Sequence, residues 1–217
     1  RTAHLLGIVP EYEADKIKRP KHMEKPVECF TLAEQKQIEH SVRQGHKLKM
    51  YGIILCLYSG LRIGELIALQ WDDIDFAKGV LSVSKSCHDG RGGLVIDEPK
   101  TPASRREIPL PKQLLPVLKD VKKKSSSPFV VSANGRAVSV RSYQRSFELL
   151  LKKLKIPHRC FHALRHTFAT RALECGMDVK TLSEILGHKN PTVTLNRYAH
   201  SLMEHKANMM NRLGKLL

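Results

Sequence analysis

HALRHTFATRALECGMDVKTLSEILGHKNPTVTLNRYAH, residues 162–200, decides how this chain is read. Its apolar positions recur at helical spacing, Gly176 and Gly187 sit where helices stop, and Pro191 sits where the next one starts. Against that pattern stand His162, Arg165, His188 and Tyr198, at places where apolar or neutral residues would pack equally well. His162 and Arg165 are three apart and share a helix face, leaving Leu164 and Phe168 to serve a core on another. Arg62 and Glu65 in SGLRIGEL repeat the spacing, with Glu65 able to reach back and orient the Arg62 guanidinium. Taken singly, each pair reads as well as a surface ion pair, which contributes little. Thr170 and Arg171 read as helix surface, Cys160 beside Phe161 as a core thiol, and Tyr198 alone as a packed ring with a wet hydroxyl.

Outward from that stretch, Thr31 and Glu34 form a capping box that opens a helix over TLAEQKQIEHSVRQ. KLKMYGIILCLYSG predicts a buried helix ending at Gly60, and LRIGELIALQ a third short one. From Gly79 the texture is β-rich: VLSVSKS, LVIDE and REIPL are short runs, and HDGRGG between the first two supplies a hairpin turn. PKQLLPVLKDVKKK returns to helix, SSSPFVV is a brief extended piece, and VRSYQRSFELLLKKLKI is helical again. The expected fold class is mainly α with a small antiparallel three-stranded β-sheet, an α+β domain. Residues 1–27, with the basic, Pro-containing KIKRPKHMEKP, read as the end of a preceding domain plus a linker.

The formal net charge of +16, from 37 Lys and Arg against 21 Asp and Glu, is the footprint of a protein that meets a polyanion, with nucleic acid first. Eleven Lys and Arg against two acids between Lys112 and Lys155 form either a solvated face or a groove that tracks phosphates. No run of 18 apolar residues and no signal-peptide core occurs, so a membrane span is not expected. Five cysteines, odd in number and without a CxxC pair, favour neither a disulfide framework nor a zinc knuckle, and fit a reducing compartment.

Metal binding is the first rival for the histidines, because His158, Cys160, His162 and His166 crowd together. A metalloprotease helix would place Glu directly after the first histidine, where this chain has Ala163. A phosphate-binding P-loop is excluded as well, since GRGG at 90–93 is not followed by Lys-Ser or Lys-Thr. In chain order the remaining pieces are Arg62 in GLRIGEL, Lys100 in EPKTPASRREIPL, His162 and Arg165 in HALRHTFAT, His188 in LGH, and Tyr198 ten residues beyond. This set resembles the tyrosine recombinase (phage integrase) family from about residue 28 to 200, with His188 at a position where the family sometimes has Trp.

The resemblance implies a site-specific DNA recombinase that cuts and rejoins strands through a 3′-phosphotyrosyl intermediate, so that no external energy source is needed. Tyr198 would be the nucleophile. Arg62 and Arg165 would clamp the nonbridging oxygens of the scissile phosphate with bidentate charge-assisted bonds, and His188 would add a donor to them. Glu65 would orient Arg62, His162 would move the tyrosine proton, and Lys100 would protonate the departing 5′ oxygen as general acid. No metal and no cofactor enters this scheme. The implied partners are double-stranded DNA, further copies of the chain in a tetrameric synapse, and accessory DNA-bending proteins, in a cytoplasmic, nucleoid-associated setting. Residues 1–27 would be the tail of an N-terminal DNA-binding domain plus linker, 28–200 the catalytic domain, and 201–217 a segment docking in cis or on a neighbouring protomer. In that segment Leu202, Met203, Met209, Met210 and Leu213 recur near helical spacing. A type IB topoisomerase, or a DNA-binding module without chemistry, are the alternatives.

Overall fold

The computed structural model describes residues 28–90, 93–97 and 105–188, with Gly7, Asn190, Thr192, Thr194, Tyr198, Met210, Asn211 and Gly214. Thr31 opens helix α1 (Leu32–Gln44) by the reciprocal bonds its spacing implies. Thr31 Oγ1 accepts from the Glu34 amide at 3.2 Å, and Glu34 Oε2 accepts from the Thr31 amide at 2.8 Å. A 3₁₀ turn at Leu48–Met50 leads into α2 (Tyr51–Ser59), whose residues from Gly52 to Leu57 are all buried. A helix apolar on every side belongs at the centre of a domain. After Gly60 the chain turns into α3 (Ile63–Ala68), also buried along nearly its whole length.

The β region departs from expectation in its pairing. Its strands are β1 (Ile74–Asp75), β2 (Val80–Val83), β3 (Ser86–Gly90), β4 (Gly93–Asp97) and β5 (Arg106–Pro109). The three-stranded antiparallel sheet has the order β1-β2-β5, with Leu81 opposite both Ile74 and Ile108. LVIDE instead joins SCHDG in a separate β3-β4 hairpin, Ser86 opposite Asp97 and Gly90 opposite Gly93. VLSVSKS is therefore one strand broken at its end. At the break Lys85 Nζ donates to Gln70 Oε1 at 3.2 Å and Asp73 Oδ1 at 3.3 Å, which ties it to the preceding turn and out of the ladder. The fold class stands; the third strand of the sheet is Ile74–Asp75.

Helix α4 (Leu115–Lys124) buries Leu118 and Val121, and Pro128–Val130 then runs extended beside Leu69–Trp71. A minimal hairpin, β6 (Ser132–Ala133) and β7 (Arg136–Ala137), precedes α5 (Val140–Lys153), capped by Ser139. Tyr143 and Phe147 of α5 meet Phe161, with ring centroids 5.5 and 5.2 Å apart. The last two helices are α6 (His162–Glu174) and α7 (Val179–Leu186), stopped by Gly176 and Gly187 at φ 94° and 65°.

One large apolar cluster joins α1 to α5 with the first half of α6. A smaller one between α6 and α7 holds Ala169, Ala172, Leu173, Leu182, Leu186 and Tyr198. Residues 29 and 30 are sewn onto α6: Thr167 Oγ1 accepts from the Phe30 amide at 2.9 Å, Arg171 donates to the Phe30 carbonyl at 3.1 Å, and Cys29 meets Thr170 at 3.2 Å. Thr170 and Arg171 are thus not the plain helix surface expected of them, because the incoming chain covers them. Cys160 is exposed rather than a core thiol, while Phe161 takes the buried place beside it. Lys100, Pro191 and all of the C-terminal apolar positions except Met210 lie outside the described residues, and Met210 is exposed. Among the described residues no helix is long and apolar enough to cross a membrane.

Candidate active site

Gly60 sets the geometry. Its left-handed φ of 66° ends α2, and a Cβ there would stand 2.6 Å from Phe168 Cδ1 and 2.9 Å from Leu186 Cδ2. Only a residue without a side chain lets this turn press against α6 and α7. The turn's buried carbonyl then becomes an anchor: Arg165 donates from Nη1 to the Gly60 oxygen at 2.8 Å and from Nη2 to the Leu186 oxygen at 2.6 Å. Arg165 is 2% exposed, and its place is fixed by three elements at once.

The residue after that turn, Arg62, is the N-cap of α3, and Glu65 lies one turn on. Glu65 Oε2 accepts from the Arg62 amide at 2.8 Å and Oε1 from Arg62 Nη1 at 2.9 Å. The same carboxylate receives Arg106 of β5 in a two-pronged bond, at 3.0 and 2.9 Å. Arg106 Nε donates in turn to the Ile185 carbonyl at 2.5 Å, and Arg62 Nη2 to the Gly187 carbonyl at 3.3 Å. Gly187 leaves room for this, since a Cβ there would lie 3.1 Å from Arg106 Nη1. One buried carboxylate thus ties α3, β5 and the end of α7 together.

Two guanidinium groups, those of Arg62 and Arg106, bond that carboxylate, while Arg165 feels its charge without a bond to it among the contacts described, and the electrostatics follow. Burial acts most strongly on Glu65 and works to raise it, but the bonds and charge of Arg106, with those of Arg62, hold it below its ordinary 4.5. Arg165 is pushed down to about 9, first by loss of solvation and next by the Arg62 charge. It is still a cation at neutral pH, in a place short of negative charge. An anion bridging Arg62 and Arg165 would relieve that shortage.

His188 follows the Gly187 stop. Its Nε2 lies 2.9 Å from Arg165 Nη2 and its Nδ1 2.8 Å from Thr194 Oγ1. A guanidinium can only donate, so Nε2 accepts here and Nδ1–H donates to Thr194, which makes this imidazole neutral. The backbone carbonyl of the buried Thr194 accepts from the Tyr198 amide at 3.1 Å, so one residue contacts both expected site residues. Tyr198 is 3% exposed, its ring in the α6–α7 cluster and its hydroxyl 2.7 Å from His166 Nδ1. His162, half-buried one turn earlier on α6, sets its ring edge-on to that of His166, with centroids 4.6 Å apart.

The Phage integrase family model matches residues 30–205, about the extent over which these side chains are gathered. The chain belongs to the phage integrase family. A tyrosine recombinase XerC-like protein of Caldanaerobacter subterraneus subsp. tengcongensis is 32% identical, over 96% of this chain and 58% of that protein. The transposase from transposon Tn916 of Enterococcus faecalis is 30% identical, over 75% of this chain and 45% of its own length. The chain therefore spans between 45% and 58% of these two relatives. Among solved structures, the Tn1549 transposon integrase in complex with transposon right end DNA superposes with a TM-score of 0.75 at 29% identity, over 94% of this chain and 70% of that one. The XerA recombinase superposes with a TM-score of 0.65 at 25% identity, over 88% and 65%.

In this member of the phage integrase family, Arg62, Glu65, Arg165, His188 and Tyr198 come together, with His162 at their margin through His166. Reading the sequence missed Arg106 as a site residue and gave His166 only the part of a metal rival. Arg106 carried no local signal, because its partner Glu65 lies 41 residues away. His166 did carry one, its i, i+4 spacing from His162. Among the described residues no group of three His, Cys, Asp or Glu side chains is placed to hold a metal.

Proposed function

We propose that this chain is the catalytic part of a site-specific DNA recombinase of the integrase type, which breaks and rejoins duplex DNA through a 3′-phosphotyrosyl link at Tyr198. The observation that carries the reading is the gathering of Arg62, Arg165 and His188 in a cluster short of negative charge, with Thr194 coupling His188 to Tyr198. A scissile phosphate would enter that cluster. Arg62, 37% exposed, offers the open side of the clamp and Arg165 the buried side. As the attack proceeds the phosphate gains charge, which fixed guanidinium donors stabilise more than they do the ground state.

Phosphate arriving at Arg165 would release His188 Nε2 from its acceptor role. The Thr194 hydroxyl both donates and accepts, so the imidazole can exchange tautomers and turn Nε2–H toward the phosphate oxygen. In the chemical step the bond from Tyr198 Oη to phosphorus forms and the bond to the 5′ oxygen breaks. The phenol proton leaves to a histidine, and the 5′ oxygen gains a proton, for which Lys100 is the proposed donor. Rejoining runs the same steps backwards with a 5′ hydroxyl as nucleophile, so no cofactor is consumed.

Exchange between two duplexes requires four strands to be cut, hence four copies of Tyr198 in one assembly on DNA. The likeness to an integrase solved with transposon right end DNA supports duplex DNA as the substrate. Tyr198→Phe should keep DNA binding and form no covalent adduct on a nicked suicide duplex bearing the recombination site. An SDS-resistant adduct from that variant would remove Tyr198 as nucleophile. Relaxation of a supercoil without any joint between two duplexes would make the activity topoisomerase-like instead.

A further inference from the structure

Tyr198 presents a problem that the proposed chemistry does not solve by itself. Its ring is buried among Ala169, Ala172, Leu173, Leu182 and Leu186, and an apolar seat disfavours a bare phenolate. An attacking tyrosine in such a seat needs a proton acceptor in direct contact with its oxygen. Such a contact is His166 Nδ1, 2.7 Å from Tyr198 Oη, with the rings tilted edge to face at 5.8 Å. Building on the assignment of Tyr198 as nucleophile, we propose that His166 is the catalytic residue that takes its proton.

The placement of His166 suits that task. Ala163, Leu164, Arg165, Thr167 and Ala169 take the buried positions of this part of α6, and the half-buried His166 turns its Nδ1 to the Tyr198 hydroxyl. His166 follows Arg165 directly, and the two share a helical turn whose other end is pinned by the Gly60 and Leu186 carbonyls. The phosphate clamp and the proton acceptor are thereby held in one rigid frame, as approach in line to phosphorus demands. His162 lies edge-on at 4.6 Å and fixes the ring of His166. This gives the first histidine of HALRH a positioning part and the second the direct one.

The proton balance is closed. Tyr198 O–H donates to the lone pair of His166 Nδ1 in the resting state, with His166 carrying its own proton on Nε2. As Oη bonds to phosphorus, the phenol proton passes to Nδ1 and an imidazolium forms. When a 5′ hydroxyl later attacks the phosphotyrosine, the imidazolium returns the proton to the departing Tyr198 oxygen. An imidazole is suited to both directions, since its unperturbed pKa lies near neutrality.

The test is single-turnover formation of the covalent adduct on a nicked suicide duplex, with DNA affinity measured in parallel. His166→Asn places an amide atom near the position of Nδ1, so it retains a hydrogen bond to Tyr198 and cannot take up a proton. The expected result is a fall of roughly 10²-fold or more in adduct formation with binding unchanged. Replacing Tyr198 by a ring-fluorinated tyrosine, which gives up its proton more readily, should recover most of that loss in the Asn background. A native rate in His166→Asn would reduce the contact to positioning, and a faster rate would make His166 a latch that restrains the tyrosine. A loss that fluorination does not recover would make it structural, and each of these three results overturns the proposal. If Tyr198→Phe makes no adduct while His166→Asn cleaves normally, only this inference falls. An adduct from Tyr198→Phe would remove the nucleophile assignment beneath it.

Discussion

Glu65 holds two guanidinium groups with one carboxylate, and that single side chain shows what the interior of the site tolerates. Arg106, 6% exposed, has its charge balanced by Glu65, itself 5% exposed. Removing one partner of a buried pair strands the other and costs about 3–5 kcal/mol, so Glu65→Gln should destabilise the chain on that order at neutral pH. The folded-state value of Glu65 lies below its ordinary 4.5, so on acidification the unfolded chain takes up the proton first. The contribution is complete above that value and is lost as pH falls through the lower, folded one. Unfolding midpoints of the native chain and Glu65→Gln should therefore differ most at neutral pH and converge in acid. A difference that persists unchanged into strong acid would contradict the argument.

Elements meet in this site through backbone atoms as much as side chains. The α2 turn at Gly60 and the α7 stop at Gly187 are left-handed glycines, and the carbonyls of Gly60, Leu186 and Gly187 receive Arg165 and Arg62. Gly60→Ala should cost about 1–2 kcal/mol for the left-handed backbone and roughly 1–3 kcal/mol more for overpacking Phe168 and Leu186. Its effect on cleavage should exceed its effect on stability, because the shifted turn carries the anchor of Arg165. Denaturant unfolding combined with single-turnover cleavage at a permissive temperature reads both. An Ala variant as stable and as active as the native chain would show that the turn does not set the clamp.

For the whole molecule, the charge census is the lever. A net charge of +16 with eleven Lys and Arg between 112 and 155 supplies counter-charge for a polyanion well beyond the cluster at Arg62 and Arg165. Each DNA phosphate neutralised adds about 0.9 to the slope of log affinity against log salt. Duplex binding should therefore weaken by tens-fold or more between low and physiological salt, measured by fluorescence anisotropy. A flat salt response would mean that the basic face is only solvated.

The amino-acid sequence by itself determined the helices, their stops and the residues worth watching, because caps, helical periodicity and the order Arg62, Arg165, His188, Tyr198 are local or compositional signals. The Thr31–Glu34 capping box, the Gly176 and Gly187 stops and the Arg62–Glu65 contact all span four residues or fewer. Only the tertiary structure decided which strand pairs with VLSV, where Lys85 breaks the run, and which groups surround each candidate. Arg106 meets Glu65 across 41 residues, His166 meets Tyr198 across 32, and Arg165 meets the Gly60 carbonyl across 105. A carbonyl carries no mark in the sequence, and a side chain's partner across such distances is chosen by how helices pack. For that reason the residues of the candidate site were legible one by one, whereas the histidine bonded to Tyr198, the proposed nucleophile, was not.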